Sequence, residues 1–404
     1  MMLKENDKFT LGFPEKQEFS DRIEKLFSRM NKIGDWDAVF LIDKINQYYF
    51  TGTMQDGVFV LKKDGSSFYF ARLSFERAKM ECLIDHVFPM GSYKDVKNVI
   101  GENIHHIYTE IDVIPYGNLE RIKKYFKIDK IDSVDKIVKD IRSVKSPYEL
   151  SCIEVSGEQH HHLLENIVPG LLREGMNEAE LMAELYEKMI KLGYHGVSRF
   201  SMFQTETVCG QLGFGENSLY PASFNGPGGM KGMCPAVPII GDRKRLLKKG
   251  DLVFVDIGYG VYGYHTDRTQ IYLFGAVPPD ELTRTHRKCM QIQKEIASHL
   301  KPGNLPSEIY HHTMNRLEPE FLRNFMGFKD RKVKFLGHGV GLQIDEYPII
   351  ADTFDEPLVD NMVIAVEPKK GVENFGVVGG EDTYIVTDNG GKCVTKGEKD
   401  IFII

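Results

Sequence analysis

The chain has 404 residues, of which 42% are hydrophobic and 27% are charged, and its formal net charge is −7. These proportions are typical of a globular protein, and the length predicts two domains, because one core rarely serves more than about 300 residues. The negative charge gives no electrostatic support for nucleic acid as a partner, and no apolar run is long enough to span a membrane.

Cysteine usage and the first residues bear on the compartment. The six cysteines are scattered along the chain without a Cys-x-x-Cys pair. This pattern favours free thiols in a reducing compartment over a disulfide framework or a zinc ribbon. Residues 1–7 lack the apolar region of a secretory signal. We therefore expect a cytoplasmic protein.

The first third alternates short strand-like and helix-like segments. Three runs are rich in β-branched and aromatic residues, at 38–42, 58–61 and 68–70. Helical spacing of apolar residues follows at 75–82 and 119–125. The pattern predicts a small α/β domain with a mixed sheet, and it contains neither a phosphate-binding glycine loop nor a catalytic constellation.

A helix start marks the domain boundary. Ser146, Pro147 and Glu149 supply a hydroxyl N-cap, a proline in the first turn and a glutamate that closes a capping box. We place the first domain at residues 1–143 and the second at residues 144–404. The second domain is predicted to hold helices first and mainly strands after Asp251. Four helices are predicted in it. One runs through 153–167, the second begins at 177, the third runs from 280 to about 300, and the fourth covers 307–321.

Two aspartates are predicted to meet on one sheet face. Asp256 follows the apolar run 252–255, and Asp267 follows a turn rich in glycine and tyrosine and precedes the strand 270–274. A hairpin of this length can place both carboxylates side by side. Two buried carboxylates at such a short distance repel each other. Either one of them is protonated or a cation lies between them.

Three further residues extend this pattern. His338 lies in a Gly-His-Gly-x-Gly run, Glu367 ends an apolar run before Pro368, and Glu381 opens a strand after two glycines. A charged residue in a buried strand is costly unless it is paired. The recurrence of buried carboxylates predicts a shared cation. Oxygen ligands with one imidazole favour Mn²⁺, Fe²⁺, Co²⁺ or Zn²⁺ over copper.

The order of these motifs resembles the pita-bread metallopeptidases, the M24 family of methionine aminopeptidase, aminopeptidase P, prolidase and creatinase. The N-terminal third and the segment 142–150 resemble the creatinase/prolidase branch. The resemblance implies a creatinase-type N-terminal α/β domain. It also implies a C-terminal α+β pita-bread domain whose curved antiparallel sheet holds the metals.

The resemblance also implies a role for each of the five residues. Asp256 matches the first aspartate ligand and Asp267 the bridging aspartate, while His338 matches the sole histidine ligand, which also has a catalytic role. Glu367 matches a terminal ligand that shuttles protons, and Glu381 matches the bridging glutamate. The implied cofactor is two divalent ions, with Mn²⁺ expected first and Co²⁺, Zn²⁺ or Fe²⁺ as alternatives. Such a pair can hold a bridging water and lower its pKa enough to supply hydroxide.

The sequence departs from the family pattern around these ligands. Asp345 stands where a second histidine is usual, and Gly379 stands where an arginine is usual. The histidine expected near Ala236 is missing, since none occurs between His195 and His265. Asp345 is predicted either to contact a substrate amine or a different leaving group, or to be hydrogen-bonded within its loop. His265, two residues before Asp267, is predicted to share its face and contact substrate.

The predicted function is therefore a dinuclear metal-dependent exopeptidase of the Xaa-Pro aminopeptidase or prolidase type that acts on short peptides. One alternative is an enzyme of the same fold that acts on a small non-peptide substrate, as a C–N hydrolase or a lyase. Another is a metal-free binding protein. A homodimer is expected by analogy with the creatinase branch, with no nucleic-acid or membrane partner.

Overall fold

The computed structural model describes residues 12–202, 205–222, 225–397 and 400–404. Within these ranges the chain forms two compact units, Gly12–Arg142 and Ser143–Ile404. No helix in the described ranges is both long and apolar enough to cross a membrane.

The N-terminal unit is built on a mixed sheet, as the sequence predicts. Its helices are α1 (Lys16–Ile33), α2 (Lys44–Thr51), α3 (Phe75–Glu81), α4 (Tyr93–Ile100), α5 (Tyr116–Lys123) and α6 (Asp135–Ser143). Its strands are β1 (Ala38–Leu41), β2 (Gly57–Lys62), β3 (Ser67–Ala71), β4 (Val87–Pro89), β5 (His106–Thr109) and β6 (Lys130–Ser133). The strand order is β4-β3-β2-β1-β5-β6. Strand β1 pairs antiparallel with β2 and parallel with β5, so the sheet is mixed.

Four helices of this unit, α1, α2, α4 and α6, were not predicted. Helix α1 buries Phe19, Leu26 and Met30, which recur at about two-turn and one-turn intervals on one face. Most of its other residues are polar, so the apolar stripe is narrow and easily overlooked. Asp43 caps the N-terminus of α2, where its side chain accepts a hydrogen bond from Asn46 N. Gly52 caps the C-terminus with a φ of 85°, which only glycine adopts readily.

The helices of the C-terminal unit agree with the predicted order but differ at their ends. They are α7 (Pro147–His162), α8 (Val168–Leu171), α9 (Glu178–Lys191), α10 (Asp280–Ser298), α11 (Pro306–Met314) and α12 (Pro319–Leu322). Ser146 and Glu149 form the predicted capping box of α7. A π-helical segment, Leu163–Ile167, joins α7 to α8. Pro169 lies in the first turn of α8, where its missing N–H needs no partner, so the helical path passes the predicted end.

The strands of this unit form several sheets, in which most neighbouring strands are antiparallel. They are β7 (Ser198–Arg199), β8 (Glu206–Thr207), β9 (Gly210–Phe214), β10 (Leu252–Val261), β11 (Tyr264–Leu273), β12 (Gly327–Phe328), β13 (Arg331–Lys332), β14 (Phe335–Gly339), β15 (Glu346–Ala351), β16 (Val363–Val366), β17 (Lys369–Val372), β18 (Gly376–Gly379), β19 (Asp382–Ile385), β20 (Lys392–Cys393) and β21 (Phe402–Ile403). One sheet has the order β21-β11-β10-β9, with β21 parallel to β11, and another has the order β15-β14-β16-β19-β20. An antiparallel bridge between Thr269 and Glu381 connects them.

The β10–β11 hairpin sets the positions of the two aspartates. Asp267 pairs with Gly258, and Asp256 pairs with Thr269. Since side chains alternate between the two faces of a strand, Asp256 and Asp267 point to the same face. The Thr269–Glu381 bridge lies at this point of the hairpin, so the junction of the two sheets gathers the carboxylates.

Candidate metal centre

The five sequence-predicted ligands come together at the junction of the two sheets. Asp256 and Asp267 project from the hairpin, His338 from β14, Glu367 from the end of β16, and Glu381 from the residue before β19. Strand β16 pairs with both β14 and β19, which brings the three non-hairpin residues next to each other. All five side chains are buried or nearly so.

The imidazole of His338 faces three of the carboxylates. Its Nε2 lies 3.5 Å from Glu367 Oε1, 3.7 Å from Glu381 Oε1 and 4.0 Å from Asp267 Oδ2. Its Nδ1 lies 3.2 Å from the carbonyl oxygen of Gly339. A proton on Nδ1 that is donated to this carbonyl leaves the lone pair of Nε2 directed at the carboxylates, as metal-binding histidines require.

The donors on the His338 side fit a divalent cation. Ligand atoms of Asp267, His338 and Glu381 all lie within 4.8 Å of one another. Oε1 of Glu381 is buried and accepts no hydrogen bond from the residues that the structure describes. A buried acceptor without a donor is costly, so this oxygen needs a cation or a proton. Two carboxylates and one imidazole suit Mn²⁺, Fe²⁺, Co²⁺ or Zn²⁺.

A buried lysine occupies the other side of the cluster. Nζ of Lys369 donates hydrogen bonds to Asp256 Oδ2 at 3.0 Å, to Glu367 Oε2 at 2.9 Å and to Glu381 Oε2 at 2.6 Å. The lysine is 0% exposed. Its ammonium group therefore bonds to three of the five predicted ligands.

A threonine hydroxyl completes the hydrogen bonding between the two sheets. Thr269 Oγ1 lies 2.7 Å from Asp256 Oδ1 and 3.2 Å from Glu381 Oε2. Thr269 pairs with Asp256 across the hairpin and with Glu381 across the bridge. The hydroxyl thus fixes the relative positions of these carboxylates. Asp256 keeps its other oxygen, Oδ2, for Lys369, whereas Oε2 of Glu381 faces both the hydroxyl and Lys369.

Burial and mutual repulsion shift the acidities of the cluster. Burial, together with the charges of Glu381 and Asp256, raises the pKa of Asp267 well above its ordinary value. Burial raises the pKa of Glu367 to about 7 and, with repulsion from Glu367, that of Glu381 to about 8, although Lys369 lowers both. Burial lowers the pKa of Lys369, but the surrounding carboxylates outweigh it and raise that pKa well above its ordinary value. The carboxyl groups of the cluster therefore hold protons more strongly than exposed carboxyl groups do.

Lys369 was not predicted as part of the site, although the sequence holds a signal for it. Lys369 follows Glu367 by two residues and begins a strand, so the two side chains can point the same way. A single lysine after a strand is usually solvated, and nothing in the sequence shows that β17 is covered. Thr269 lies two residues after Asp267 on the same face of β11, and it was also not predicted.

Comparisons with known proteins agree with this geometry. The model of metallopeptidase family M24 matches residues 151–388, and the model of the creatinase/prolidase N-terminal domain matches residues 22–144. The first match covers more than half of the chain. The chain belongs to metallopeptidase family M24. The predicted family, the two-domain creatinase and pita-bread fold, and the assignment to metallopeptidases are confirmed.

Individual members of the family are similar to this metallopeptidase over nearly its whole length. The Xaa-Pro dipeptidase of Pyrococcus furiosus is 26% identical over 385 residues, which cover 94% of this chain and 99% of that protein. The prolidase structure from Pyrococcus horikoshii aligns with a TM-score of 0.77 at 25% identity, covering 94% of this chain and 99% of the other. The X-Pro aminopeptidase structure from Thermotoga maritima has a TM-score of 0.75 at 22% identity and covers 95% and 99%, which shows the fold alone.

Gly379 explains one departure of this metallopeptidase from the family pattern. Its φ is 106°, and a Cβ added here would lie 2.3 Å from Pro368 O and 2.8 Å from the Cα of Lys369. Any side chain at position 379 would therefore collide with the backbone that carries Lys369. The glycine in place of arginine allows β18 to lie against the first residue of β17.

Asp345 lies beside the centre of this metallopeptidase but is also hydrogen-bonded. Its Oδ1 accepts from Ser201 N at 2.6 Å, and its carbonyl oxygen accepts from Ser201 Oγ at 3.0 Å. Burial raises the pKa of Asp345, while the hydrogen bond from Ser201 and the charge of His338 lower it. The side chain is therefore held by a neighbouring segment and is close enough to His338 to respond to its charge.

His265 is enclosed away from the five carboxylate and imidazole ligands. Its Nδ1 lies 3.0 Å from Gly341 O, and its Nε2 lies 3.1 Å from Nε2 of His195 and 3.3 Å from Val197 O. Burial lowers the pKa of His265 to about 4. Within the described part of the chain, none of its hydrogen bonds reaches a predicted metal ligand. Its assignment to substrate binding stays a prediction.

Proposed function

We propose that this metallopeptidase is an exopeptidase of the Xaa-Pro type that cleaves short peptides at the bond before proline. The observation that carries the proposal is the position of His338 Nε2, which faces Asp267, Glu367 and Glu381 within 4.0 Å. The likeness to an Xaa-Pro dipeptidase over 94% of the chain supports the substrate class.

Asp267, His338 and Glu381 are the residues that would hold a divalent ion, and Mn²⁺ is the ion proposed first. When bound, such an ion supplies Lewis acidity for the amide carbonyl and lowers the pKa of water. Fe²⁺, Co²⁺ and Zn²⁺ suit the same donors.

Glu367 is the proposed proton carrier. Its Oε2 is held by Lys369 Nζ at 2.9 Å, while its Oε1 faces His338. Burial raises the pKa of Glu367 to about 7, which suits a group that takes and returns a proton near neutral pH. Oε1 takes the proton from the attacking water and returns it to the nitrogen of the leaving proline. Lys369 keeps the carboxylate oriented during both transfers.

Asp345 is the proposed contact for the amine of the substrate. The next residue, Glu346, pairs with Gly339 beside His338, and the hydrogen bond from Ser201 N fixes the Asp345 side chain. A carboxylate next to the metal centre can bind the free ammonium group of a peptide and so favour cleavage near the N-terminus. An Asp345→Asn variant is expected to raise KM for dipeptides, and an unchanged KM and kcat would remove this contact from the proposal.

A peptide panel tests the function. Protein reconstituted with Mn²⁺ is assayed on Xaa-Pro dipeptides, on Xaa-Pro-Yaa tripeptides and on matched Xaa-Ala peptides. Cleavage confined to the proline series is expected, and the ratio of dipeptide to tripeptide turnover decides between dipeptidase and aminopeptidase.

Two results would contradict the proposal. If metal is bound but no peptide is cleaved, the protein is instead an enzyme that acts on a small non-peptide substrate. If no divalent ion is taken up, the protein is instead a metal-free binding protein. A homodimer and a cytoplasmic location stay predictions, and light scattering tests the first.

A further inference from the structure

We infer that Lys369 supplies a built-in cation in place of one of the two metal ions, so that the centre takes a single divalent ion. This inference rests on the proposed metal centre, and it differs from the pair of ions that the family resemblance implies. It is carried by the geometry of the lysine, by the balance of charge and by the backbone on either side.

The ammonium group uses its full hydrogen-bonding capacity on the carboxylates. A lysine has three N–H donors, and Nζ of Lys369 has three carboxylate oxygens at 2.6–3.0 Å, from Asp256, Glu367 and Glu381. A metal ion on this side of the cluster would need the same oxygens. The ammonium and such an ion therefore exclude each other.

The charges favour one dication. Four carboxylates surround the centre, namely Asp256, Asp267, Glu367 and Glu381. The ammonium and one divalent ion supply three positive charges against the four negative charges of the ionised carboxylates. A second divalent ion would have to lie beside the buried ammonium, where water does not screen the repulsion between the two cations.

The backbone holds Lys369 at this position. Lys369 pairs with Gly379 in the β17–β18 ladder, and its carbonyl oxygen accepts from Met326 N at 2.8 Å. The backbone of Gly379 lies close to the Cα of Lys369, so the backbone of Lys369 is enclosed there as well. The ring of Phe254 lies 6.0 Å from Nζ, so apolar surface covers the ammonium on the side of β10. The side chain is thus enclosed where it can reach the three carboxylates.

Glu381 connects the lysine to the remaining metal position. Its Oε2 accepts from Lys369, whereas its buried Oε1 accepts no hydrogen bond from any described residue and faces His338. The carboxylate that bridges two ions in the family pattern would here bridge an ammonium and one ion. Asp267 and His338 complete the single site.

Counting bound metal tests the inference. Metal-free protein is dialysed against Mn²⁺, and the bound ion is measured by plasma mass spectrometry, for the wild type, Lys369→Ala and the matched control Lys370→Ala. Lys370 donates instead to the carbonyl oxygens of Phe321 and Arg323. We expect one ion per chain in the wild type and in Lys370→Ala, and two in Lys369→Ala. Two ions in the wild type, or one in a folded Lys369→Ala, would overturn the inference.

Two further measurements do not depend on the folding of Lys369→Ala. Wild-type protein with excess Mn²⁺ should give the electron paramagnetic resonance spectrum of isolated ions, whereas an exchange-coupled pair would contradict the inference. His338→Ala should lose its single ion, whereas a centre with two ions would keep one on the Lys369 side. These readouts count ions without substrate, so an inactive peptide panel leaves them unaffected.

Discussion

Two buried glutamates, one in each compact unit, show what distinguishes a structural carboxylate from a site. In the N-terminal unit, Glu110 is 0% exposed and accepts hydrogen bonds from Ile42 N, Asp43 N and Asn46 Nδ2. In the C-terminal unit, Glu381 is 2% exposed, but its Oε1 accepts no hydrogen bond from a described residue.

Acidity does not separate these two residues. Burial raises the pKa of Glu110 to about 7 and that of Glu381 to about 8. What differs is the neighbours, since backbone and amide groups satisfy both oxygens of Glu110, whereas carboxylates, a lysine and an imidazole surround Glu381. A buried carboxylate oxygen that accepts no hydrogen bond and lies among other charged groups indicates a cation site. A carboxylate whose two oxygens both accept hydrogen bonds indicates a structural role.

The largest expected effect is on turnover. Glu367→Gln removes the proposed proton carrier and should lower kcat/KM for Xaa-Pro peptides by about 10²–10⁴-fold. Steady-state kinetics with Mn²⁺ measure it. The matched control is Glu178→Gln, since Glu178 accepts only structural hydrogen bonds, from Phe214 N, Asn217 Nδ2 and Asp242 N. If both variants lose activity equally, the contrast between structural and site carboxylates does not hold.

The next effect concerns the stability of the metal-free protein. Lys369→Met leaves the buried carboxylates without their ammonium partner and should lower the free energy of unfolding by about 3–5 kcal/mol. Addition of Mn²⁺ should recover much of this loss. Urea unfolding followed by circular dichroism measures both values, with Lys370→Met as the control. Equal stabilities of the two metal-free variants would show that Lys369 does not hold the cluster together.

The third effect is a dependence of folding stability on pH that arises from Glu110. Its pKa is raised from 4.5 to about 7 by burial, so the folded state holds the proton more tightly than the unfolded state. Stability should therefore fall as the pH rises from 4.5 to about 7, by at most about 3 kcal/mol, and then level off. Glu110→Gln cannot ionise and should lose this slope. The fluorescence of Trp36, the only tryptophan and 0% exposed in this unit, follows the unfolding.

The smallest effect is that of removing the structural glutamate. Glu110→Ala leaves the amides of Ile42 and Asp43 without their acceptor and should lower the stability of the N-terminal unit by about 1–3 kcal/mol. Trp36 fluorescence measures the change. The number of bound Mn²⁺ ions should equal that of the wild type, and a change in that number would mean that Glu110 is more than structural.

The fold was predictable wherever local chemistry decides it. The capping box of Ser146 and Glu149 marks the start of α7 in sequence and structure alike, because both partners lie within one turn. The predicted helix 307–321 is wrong in one respect, since it divides into α11 and α12. Pro319 starts a new helix there, and a proline inside a helix removes a backbone hydrogen bond.

Sequence by itself determined the family, the two-domain fold and the five residues that meet at the junction of the sheets. Each of them stands in a strand or tight turn whose pattern is local, so spacing alone could select it. Only the tertiary structure decided that Lys369 enters the cluster and that His265 turns towards His195. Both depend on which strands and loops cover them. Gly379 leaves room for the backbone of Lys369, and the sequence does not show that these two residues pair. Burial converts a lysine from a solvated surface group into a fixed counter-ion, and burial is a property of the packed chain.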